Sequence, residues 1–113
     1  MKFFVDTADT AEIRDLAEKI YRRVEWNWAQ RNTTGTQANN LEDSHAITMG
    51  WYPEKGWEKA DWVGYNEGML VYVLALASPT HSVGKDAWDQ GWAKDLEKDW
   101  GTYYGYEHLQ FEP

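Results

Sequence analysis

The sequence has no cysteine, only three phenylalanines and a shortage of basic residues. The absence of cysteine excludes disulfides, thiolate catalysis and zinc sites built on cysteine. Eleven lysines and arginines against nineteen acidic residues give a formal charge of -8. A charge of that sign argues against nucleic acid and anionic membranes as partners. A neutral ligand is favoured instead.

Long hydrophobic runs are also absent. The longest apolar run, residues 69–77, is much shorter than the roughly 20 residues that a membrane span needs. The N-terminus becomes acidic at Asp6, too early for the apolar region of a signal peptide. We therefore expect no membrane insertion and see no export signal, and the 113 residues have the length of a single domain, residues 1–113.

Tryptophan and tyrosine are abundant, with eight and seven copies respectively. A plain core would use Leu, Ile and Phe, because a buried indole or phenol also needs a hydrogen-bond partner. Indoles can instead stack on the apolar faces of pyranose rings while polar side chains bind the hydroxyls. The candidates for such stacking are Trp26, Trp28, Trp51, Trp57 and Trp62.

Helical spacing of apolar residues predicts three helices, over residues 10–30, 66–77 and 85–100. In the third helix, Trp88, Trp92 and Trp100 fall on one stripe, which favours a packing role. Residues 31–61 have loop composition, and Trp51 to Trp57 indicates a turn between short extended pieces. The expected fold class is mainly all-α, with a long irregular aromatic loop or small hairpin.

Glu67 is the candidate catalytic residue, in the motif GYNEG at the entrance to the second predicted helix. A carboxylate there lies near free backbone N–H groups and the positive end of the helix dipole, which keeps it ionised and oriented. An oriented carboxylate among aromatics suits glycoside hydrolysis, where one acid protonates the leaving oxygen and a second carboxylate acts on water or sugar. The alternative is that Glu67 only caps its own helix.

The histidines show no metal-ligand spacing, so we expect loop or partly buried hydrogen-bonding roles for them, no metal site and no cofactor. Asp43, Ser44 and His45 are adjacent in sequence, and adjacent side chains seldom converge as a catalytic triad. The acidic residues between 86 and 99 are expected to form a solvated helix face, since no calcium-loop spacing is present.

Five ordered blocks of the sequence resemble the bacterial glucoamylase-like family that includes endo-β-1,2-glucanases. The blocks are IRDLAEKIYRRVEW (13–26), MGWYPE (49–54), GYNEGML (64–70), LALASPTH (74–81) with the later Trp88, and YYGYEHL (103–109). The resemblance spans residues 9–111 and implies helices of an (α/α)6 barrel, so the chain would be an incomplete, central segment of a larger glucoamylase-like domain. Residues 110–113 depart from the family pattern, which suggests a truncated or altered end.

The resemblance implies that Glu67 matches an acidic residue of the family's sugar-binding cleft. It places Trp51, Tyr65 and His81 around that cleft, and indole chemistry adds Trp57 and Trp62 as substrate-binding candidates. The expected ligand is a β-glucan, hydrolysed with inversion in a complete member. Further acids come from parts of the family domain that this chain lacks, so we expect the isolated chain to be inactive or nearly so. The family resemblance suggests a periplasmic or secreted location.

Other interpretations remain open at this point. Residues 2–9, KFFVDTAD, resemble the opening strand of transaldolases, with Asp6 at the matching acidic position, but eight residues are compatible with coincidence or a grafted start. The main alternative function is a non-catalytic helical interaction protein that self-associates or binds the missing barrel segments on another chain. A third is that the segment forms no unique fold alone.

Overall fold

The computed structural model describes residues 8–31 and 44–111. Two α-helices lie on either side of a β-hairpin in the chain, and a second hairpin follows. The elements are α1 (Ala8–Arg23), a 3-10 turn (Trp26–Ala29), β1 (Ile47–Thr48), β2 (Trp51–Tyr52), β3 (Gly56–Trp57), β4 (Asp61–Trp62), α2 (Met69–Leu76), a π-helical turn (Ala87–Trp92), β5 (Trp100–Tyr103) and β6 (Tyr106–Leu109).

Strands β1 to β4 form one long antiparallel hairpin, residues 47–62, which we call the aromatic hairpin. Its outer strands pair Ile47 with Trp62, and its inner strands pair Trp51 with Trp57. The pairing shifts by one residue between these two sections, which leaves Lys59 as an extra residue in the manner of a β-bulge. The predicted turn between short extended pieces is therefore confirmed, within a longer hairpin.

The second hairpin joins β5 and β6 in register from Trp100 opposite Leu109 to Tyr103 opposite Tyr106. Its two turn residues, Tyr104 and Gly105, have φ angles of 53° and 83°. Two successive positive φ values are typical of a type I′ turn, whose twist matches that of the paired strands.

The prediction of a mainly all-α fold is wrong, because the described residues contain two antiparallel hairpins as well as helices. The third predicted helix ends at Trp92, and residues 100–103 form a strand instead. The aromatic residues and threonine of residues 100–103 favour a strand. The prediction gave more weight to the helical spacing of Trp92 and Trp100 than to that strand preference. The other two helices are shorter than predicted, at Ala8–Arg23 and Met69–Leu76.

Tyr72 is at the centre of the small core, with a fully buried side chain. Its hydroxyl donates a hydrogen bond to the Trp62 carbonyl and accepts one from the Ile47 backbone N–H, both at 2.7 Å. These two bonds attach α2 to the open end of the aromatic hairpin. The buried apolar residues of the core are Ala46, Ile47, Tyr72, Ala75, Val83, Ala87 and Trp92.

Both α-helices leave apolar side chains in solvent. On α1, Leu16 and Ile20 are 52% and 64% exposed, and on α2 Leu70 is 63% exposed. The Cα radius of gyration is 16.8 Å, compared with about 13 Å for a compact domain of this length. Helix α1 is held to α2 by the Tyr21 hydroxyl, which donates to the Leu74 carbonyl at 2.7 Å. None of the helices formed by the described residues is long and apolar enough to cross a membrane.

Candidate functional site

Three indoles from two distant segments meet on the outside of the aromatic hairpin. Trp51 and Trp57 are cross-strand partners, and Trp28 reaches them from the 3-10 turn. The Trp28 ring centroid lies 4.2 Å from that of Trp57 and 5.9 Å from that of Trp51, with the planes tilted by 57° and 56°. Trp28 and Trp51 are each 45% exposed. We call Trp28, Trp51 and Trp57 the indole platform.

A buried arginine holds the 3-10 turn against the hairpin. The guanidinium of Arg31 pairs with the Asp61 carboxylate, donates to the Thr48 hydroxyl at 3.3 Å and also donates to the Glu58 carbonyl. The Arg31 backbone N–H adds a bond to the Ala46 carbonyl at 2.8 Å. Because Arg31 follows Trp28 by three residues, these contacts fix where that indole stands relative to the hairpin.

Gln30 forms a second anchor for the same turn. Its side-chain amide donates to the His45 carbonyl at 3.1 Å and to Asp86 Oδ2 at 3.0 Å, and His45 Nδ1 lies 2.8 Å from the same Asp86 oxygen. The neighbouring Ser44 hydroxyl donates instead to Asp61 Oδ2 at 2.8 Å. Ser44 and His45 thus face different carboxylates, and the Asp43 of the discarded triad lies outside the described residues.

Glu67 lies in the turn that precedes α2, and its side chain is exposed. Its carboxylate makes no hydrogen bond or ion pair with the part of the chain that the structure describes. The neighbouring Asn66 stabilises this turn, since its Oδ1 accepts a bond from the Gly68 N–H at 2.9 Å and its amide donates to the Val63 carbonyl at 2.8 Å. Gly68 occupies the N-cap position of α2, and no side-chain capping bond is present there.

The other predicted binding residues are distributed around this turn and beyond it. Trp62 packs beside Gly68, where an added Cβ would lie 2.9 Å from the indole. Tyr65 contacts Phe111, with ring centroids 6.4 Å apart. His81 Nδ1 lies 3.0 Å from the Thr80 hydroxyl oxygen, and the His81 carbonyl accepts a bond from the backbone N–H of Asn27, the residue before Trp28.

The structure therefore joins Trp51 with Trp57 and adds Trp28 to them. Within residues 8–31 and 44–111, no ring contact or side-chain hydrogen bond connects Glu67, Trp62 or Tyr65 to the platform. The sequence placed Trp28 among the stacking candidates, but nothing in the spacing of these two segments, which lie more than twenty residues apart, predicts that they meet.

The packing stripe predicted for the third helix is only partly present. Trp92 is buried and stacks on Trp88, with centroids 4.6 Å apart and planes 28° from parallel. Trp100 lies on β5 and is 57% exposed, so the packing prediction is wrong for this residue. Among the described residues, no group of three or more histidine or acidic side chains is placed to hold a metal ion.

Burial perturbs one ionisable group strongly. The pKa of the Tyr72 hydroxyl is raised above its ordinary value, chiefly because burial disfavours the phenolate. The hydrogen bond from Ile47 lowers it and the negative charge of Asp61 raises it further, by smaller amounts. Tyr72 thus stays a neutral hydrogen-bond donor in the core, and we assign it a structural role.

Residues 59–113 match the Glycoamylase family model, described as "Putative glucoamylase". An exo beta-1,2-glucooligosaccharide sophorohydrolase (non-reducing end) from Parabacteroides distasonis is 26% identical over an alignment of 113 positions, which covers 83% of this chain and 14% of that enzyme.

Two crystal structures of proteins with the same "putative glucoamylase" description are also similar. The protein from Bacteroides fragilis has a TM-score of 0.68 and 30% identity, with 94% of this chain and 24% of that one covered. The protein from Bacteroides uniformis has a TM-score of 0.71 and 26% identity, with 98% and 25% covered. The chain thus spans about a quarter of these solved relatives, and the resemblance predicted from its motifs is confirmed.

Proposed function

We propose that this chain, which is similar to glucoamylase-like proteins, carries part of a β-glucan-binding cleft, with the indole platform as a stacking surface. The observation that carries the proposal is the convergence of Trp28, Trp51 and Trp57 at the surface. Large exposed apolar patches on folded proteins often mark sites that bind a ligand or another protein.

The chemistry of the platform suits a sugar. An indole offers a flat apolar face to the C–H groups of a pyranose ring and an N–H to its hydroxyls. The net charge of -8 favours an uncharged ligand over an anionic one. The sophorohydrolase relative acts, by its name, on β-1,2-linked glucooligosaccharides, which supports a β-glucan as the ligand.

Glu67 is our candidate for one acidic group of the same cleft. Its exposed carboxylate is accessible to a ligand and makes no capping bond to α2. Glycoside hydrolysis needs two carboxylates with different roles, so Glu67 requires a partner. We expect that partner on a part of the barrel that the chain does not supply, while Tyr65, His81 and Trp62 contribute to binding.

A titration of the purified chain with a β-1,2-linked glucotetraose, followed by tryptophan fluorescence, tests the binding proposal. We expect a saturable change in the natural chain, lost in Trp51→Ala because the exposed stacking face is removed. Trp100→Ala is the matched control, since Trp100 is an exposed indole on the second hairpin, and it should bind as the natural chain does. No saturable change in the natural chain would refute the proposal.

A second candidate function is self-association, or docking of barrel segments from another chain, through the apolar faces of the helices. The observation that favours it is the exposure of Leu16, Ile20 and Leu70 on α1 and α2. Light scattering across a range of concentrations should then show an oligomer whose mass falls in a Leu16→Glu, Ile20→Glu variant. A monomer at all concentrations would remove self-association from consideration.

A further inference from the structure

We propose that Asn66 is a positioning residue of the candidate cleft, because its buried side chain fixes the turn that carries Glu67 and Tyr65. The inference rests on the proposed function, since it takes Glu67 as a group that contacts the glycan. It assigns the role to a residue that has almost no exposed surface of its own and acts through its neighbour.

The turn over residues 64–68 alternates strictly between buried and exposed residues. Gly64, Asn66 and Gly68 are buried, whereas Tyr65 and Glu67 are exposed. Gly64 has a φ angle of 79°, which residues with a side chain rarely adopt. A Cβ on Gly68 would lie 2.8 Å from Asn66 Oδ1, so this position also leaves no room for a side chain. The two exposed residues therefore stand on a backbone of restricted conformation.

The side chain of Asn66 bridges the backbone on both sides of Tyr65 and Glu67. Its amide donates to the Val63 carbonyl at 2.8 Å, and its Oδ1 accepts a bond from the Gly68 N–H at 2.9 Å. Asparagine supplies a donor and an acceptor at short reach. One side chain thus closes the turn from both ends.

The turn is also attached to the core through Trp92. The indole N–H of this buried residue donates to Asn66 Oδ1 at 3.4 Å, and its carbonyl accepts a bond from the Gly64 N–H at 3.0 Å. Two bonds at different points of the turn fix its place relative to the core as well as its internal shape. The direction of the Glu67 Cα–Cβ bond is therefore set before a ligand arrives.

A fixed backbone matters for an exposed side chain such as Glu67. When a glycan hydroxyl binds its carboxylate, only the side-chain torsions remain to be ordered, and every further group that must be ordered lowers the affinity. The hydrogen bond itself weakens steeply when its geometry is lost. A loosened turn should therefore remove the contribution of Glu67 to binding even while the protein stays folded.

A double-mutant cycle in the affinity for β-1,2-linked glucotetraose, measured by isothermal titration, tests the assignment. Its four forms are the natural chain, Glu67→Ala, Asn66→Ser and the double variant. We expect each single substitution to weaken the Kd by about tenfold, the value of one charge-assisted hydrogen bond. The double variant should bind no more weakly than Glu67→Ala, because Asn66 acts through Glu67.

Tyr21→Phe is the control for a general loss of stability. It removes one hydrogen bond to α2, at the Leu74 carbonyl and away from the turn, so it should bind normally. Thermal unfolding of each form gives a temperature at which all of them are folded for the titrations. A purely structural Asn66 would lower the unfolding temperature without any coupling to Glu67 in the binding cycle.

The outcomes separate the inference from the proposed function. If the natural chain does not bind, the proposed function fails and the inference with it. If the natural chain binds and Glu67→Ala binds equally well, the indole platform stands and the inference is wrong. If Glu67→Ala weakens binding but Asn66→Ser does not, or if the two losses add in the double variant, Asn66 is structural only and the inference is again wrong.

Should Asn66→Ser unfold, the same cycle is run with Asn66→Asp. This variant keeps an acceptor for the Gly68 N–H and loses the donor to the Val63 carbonyl. A loss of affinity that does not add to that of Glu67→Ala supports the inference, and an additive or absent loss overturns it.

Discussion

At the scale of single residues, Tyr72 connects more of the molecule than any side chain that sequence reasoning selected. One hydroxyl serves both outer strands of the aromatic hairpin, accepting from Ile47 and donating to Trp62. The apolar run over residues 69–77 predicted a buried helix here, and α2 does bury Tyr72 and Ala75. What the pattern could not predict is which backbone groups the phenol would reach, since those lie ten and twenty-five residues away.

We expect Tyr72→Phe to lower the free energy of unfolding by about 1–3 kcal/mol, because the Ile47 N–H and the Trp62 carbonyl lose a partner in a dry core. Urea unfolding followed by circular dichroism measures the change. Tyr104→Phe is the control, since Tyr104 is fully exposed in the turn of the second hairpin, and it should change stability little. Equal stabilities of Tyr72→Phe and the natural chain would contradict the assigned role.

The raised pKa of Tyr72 has a defined pH consequence. In the unfolded chain the phenol ionises near its ordinary pKa of about 10, whereas in the folded chain burial keeps it neutral to higher pH. Its contribution to stability is therefore complete below pH 10 and declines as pH rises above that value. Melting temperatures between pH 8 and 11 should fall more steeply for the natural chain than for Tyr72→Phe. Parallel profiles would contradict the argument.

Glu67 and Asn66 show what a local sequence motif can predict and what it cannot. The motif GYNEG correctly predicts the entrance to a helix and places an acid there. It does not reveal that Asn66, and not Glu67, stabilises the turn before the helix by accepting a bond from the Gly68 N–H. Whether Glu67 acts on a sugar depends on residues that come from other elements, so position in the motif cannot decide it.

At the scale of elements, the contact between Arg31 and Asp61 determines how the 3-10 turn meets the aromatic hairpin. Arg31 is almost fully enclosed, and its guanidinium binds three hairpin residues. Breaking a buried ion pair from one side leaves an uncompensated charge in a poorly solvated place. The energetic consequence is therefore much larger than for an exposed pair.

We predict that Asp61→Asn destabilises the chain by about 3 kcal/mol and speeds amide exchange in residues 47–62. The control is Asp95→Asn, whose carboxylate pairs with Lys98 at the surface and whose loss should cost about 0–1 kcal/mol. Hydrogen exchange and denaturant unfolding give both quantities. Similar effects in the two variants would show that the Arg31 contact does not hold the hairpin.

The sequence carries only part of the signal for the second hairpin. Gly105 separates two runs of aromatic and polar residues, which favours a turn, but Tyr104 is not one of the Asn, Asp or Gly residues that usually precede glycine in a two-residue hairpin turn. The helical spacing of Trp92 and Trp100 favoured a helix instead. The predicted third helix therefore continued to residue 100, where the structure has the start of β5. The close approach of Gly91 to the Ala46 backbone, which a Cβ would obstruct, belongs to tertiary packing and has no sequence signal.

At the scale of the whole molecule, the chain has a small core and large uncovered apolar faces on α1 and α2. The chain spans about a quarter of its two solved relatives, and the prediction that it is a segment of a larger domain, which would account for these faces, stays a prediction. Composition and periodicity alone did not predict the open shape, which depends on which segments meet in space, and they predicted the first hairpin only as a turn between short extended pieces.

The same reasoning predicts that the isolated chain hydrolyses β-1,2-glucan slowly or not at all. Glu67 alone cannot act both as acid and as base or nucleophile in one step. Release of reducing sugar from the linear polymer measures the rate, with Glu67→Gln as the reference for background hydrolysis. Turnover by the natural chain that Glu67→Gln abolishes would contradict the prediction, and would mean that the chain contains a complete catalytic pair.

The most direct test of the central claim, that the indole platform binds a glycan, is to follow the indole N–H resonances of the eight tryptophans during titration with β-1,2-linked glucotetraose. Each resonance is assigned by single substitution. The account predicts saturable shifts for Trp28, Trp51 and Trp57 with one shared dissociation constant, and no shift for Trp92 or Trp100. Eight unchanged resonances, or shifts confined to tryptophans outside the platform, would contradict it.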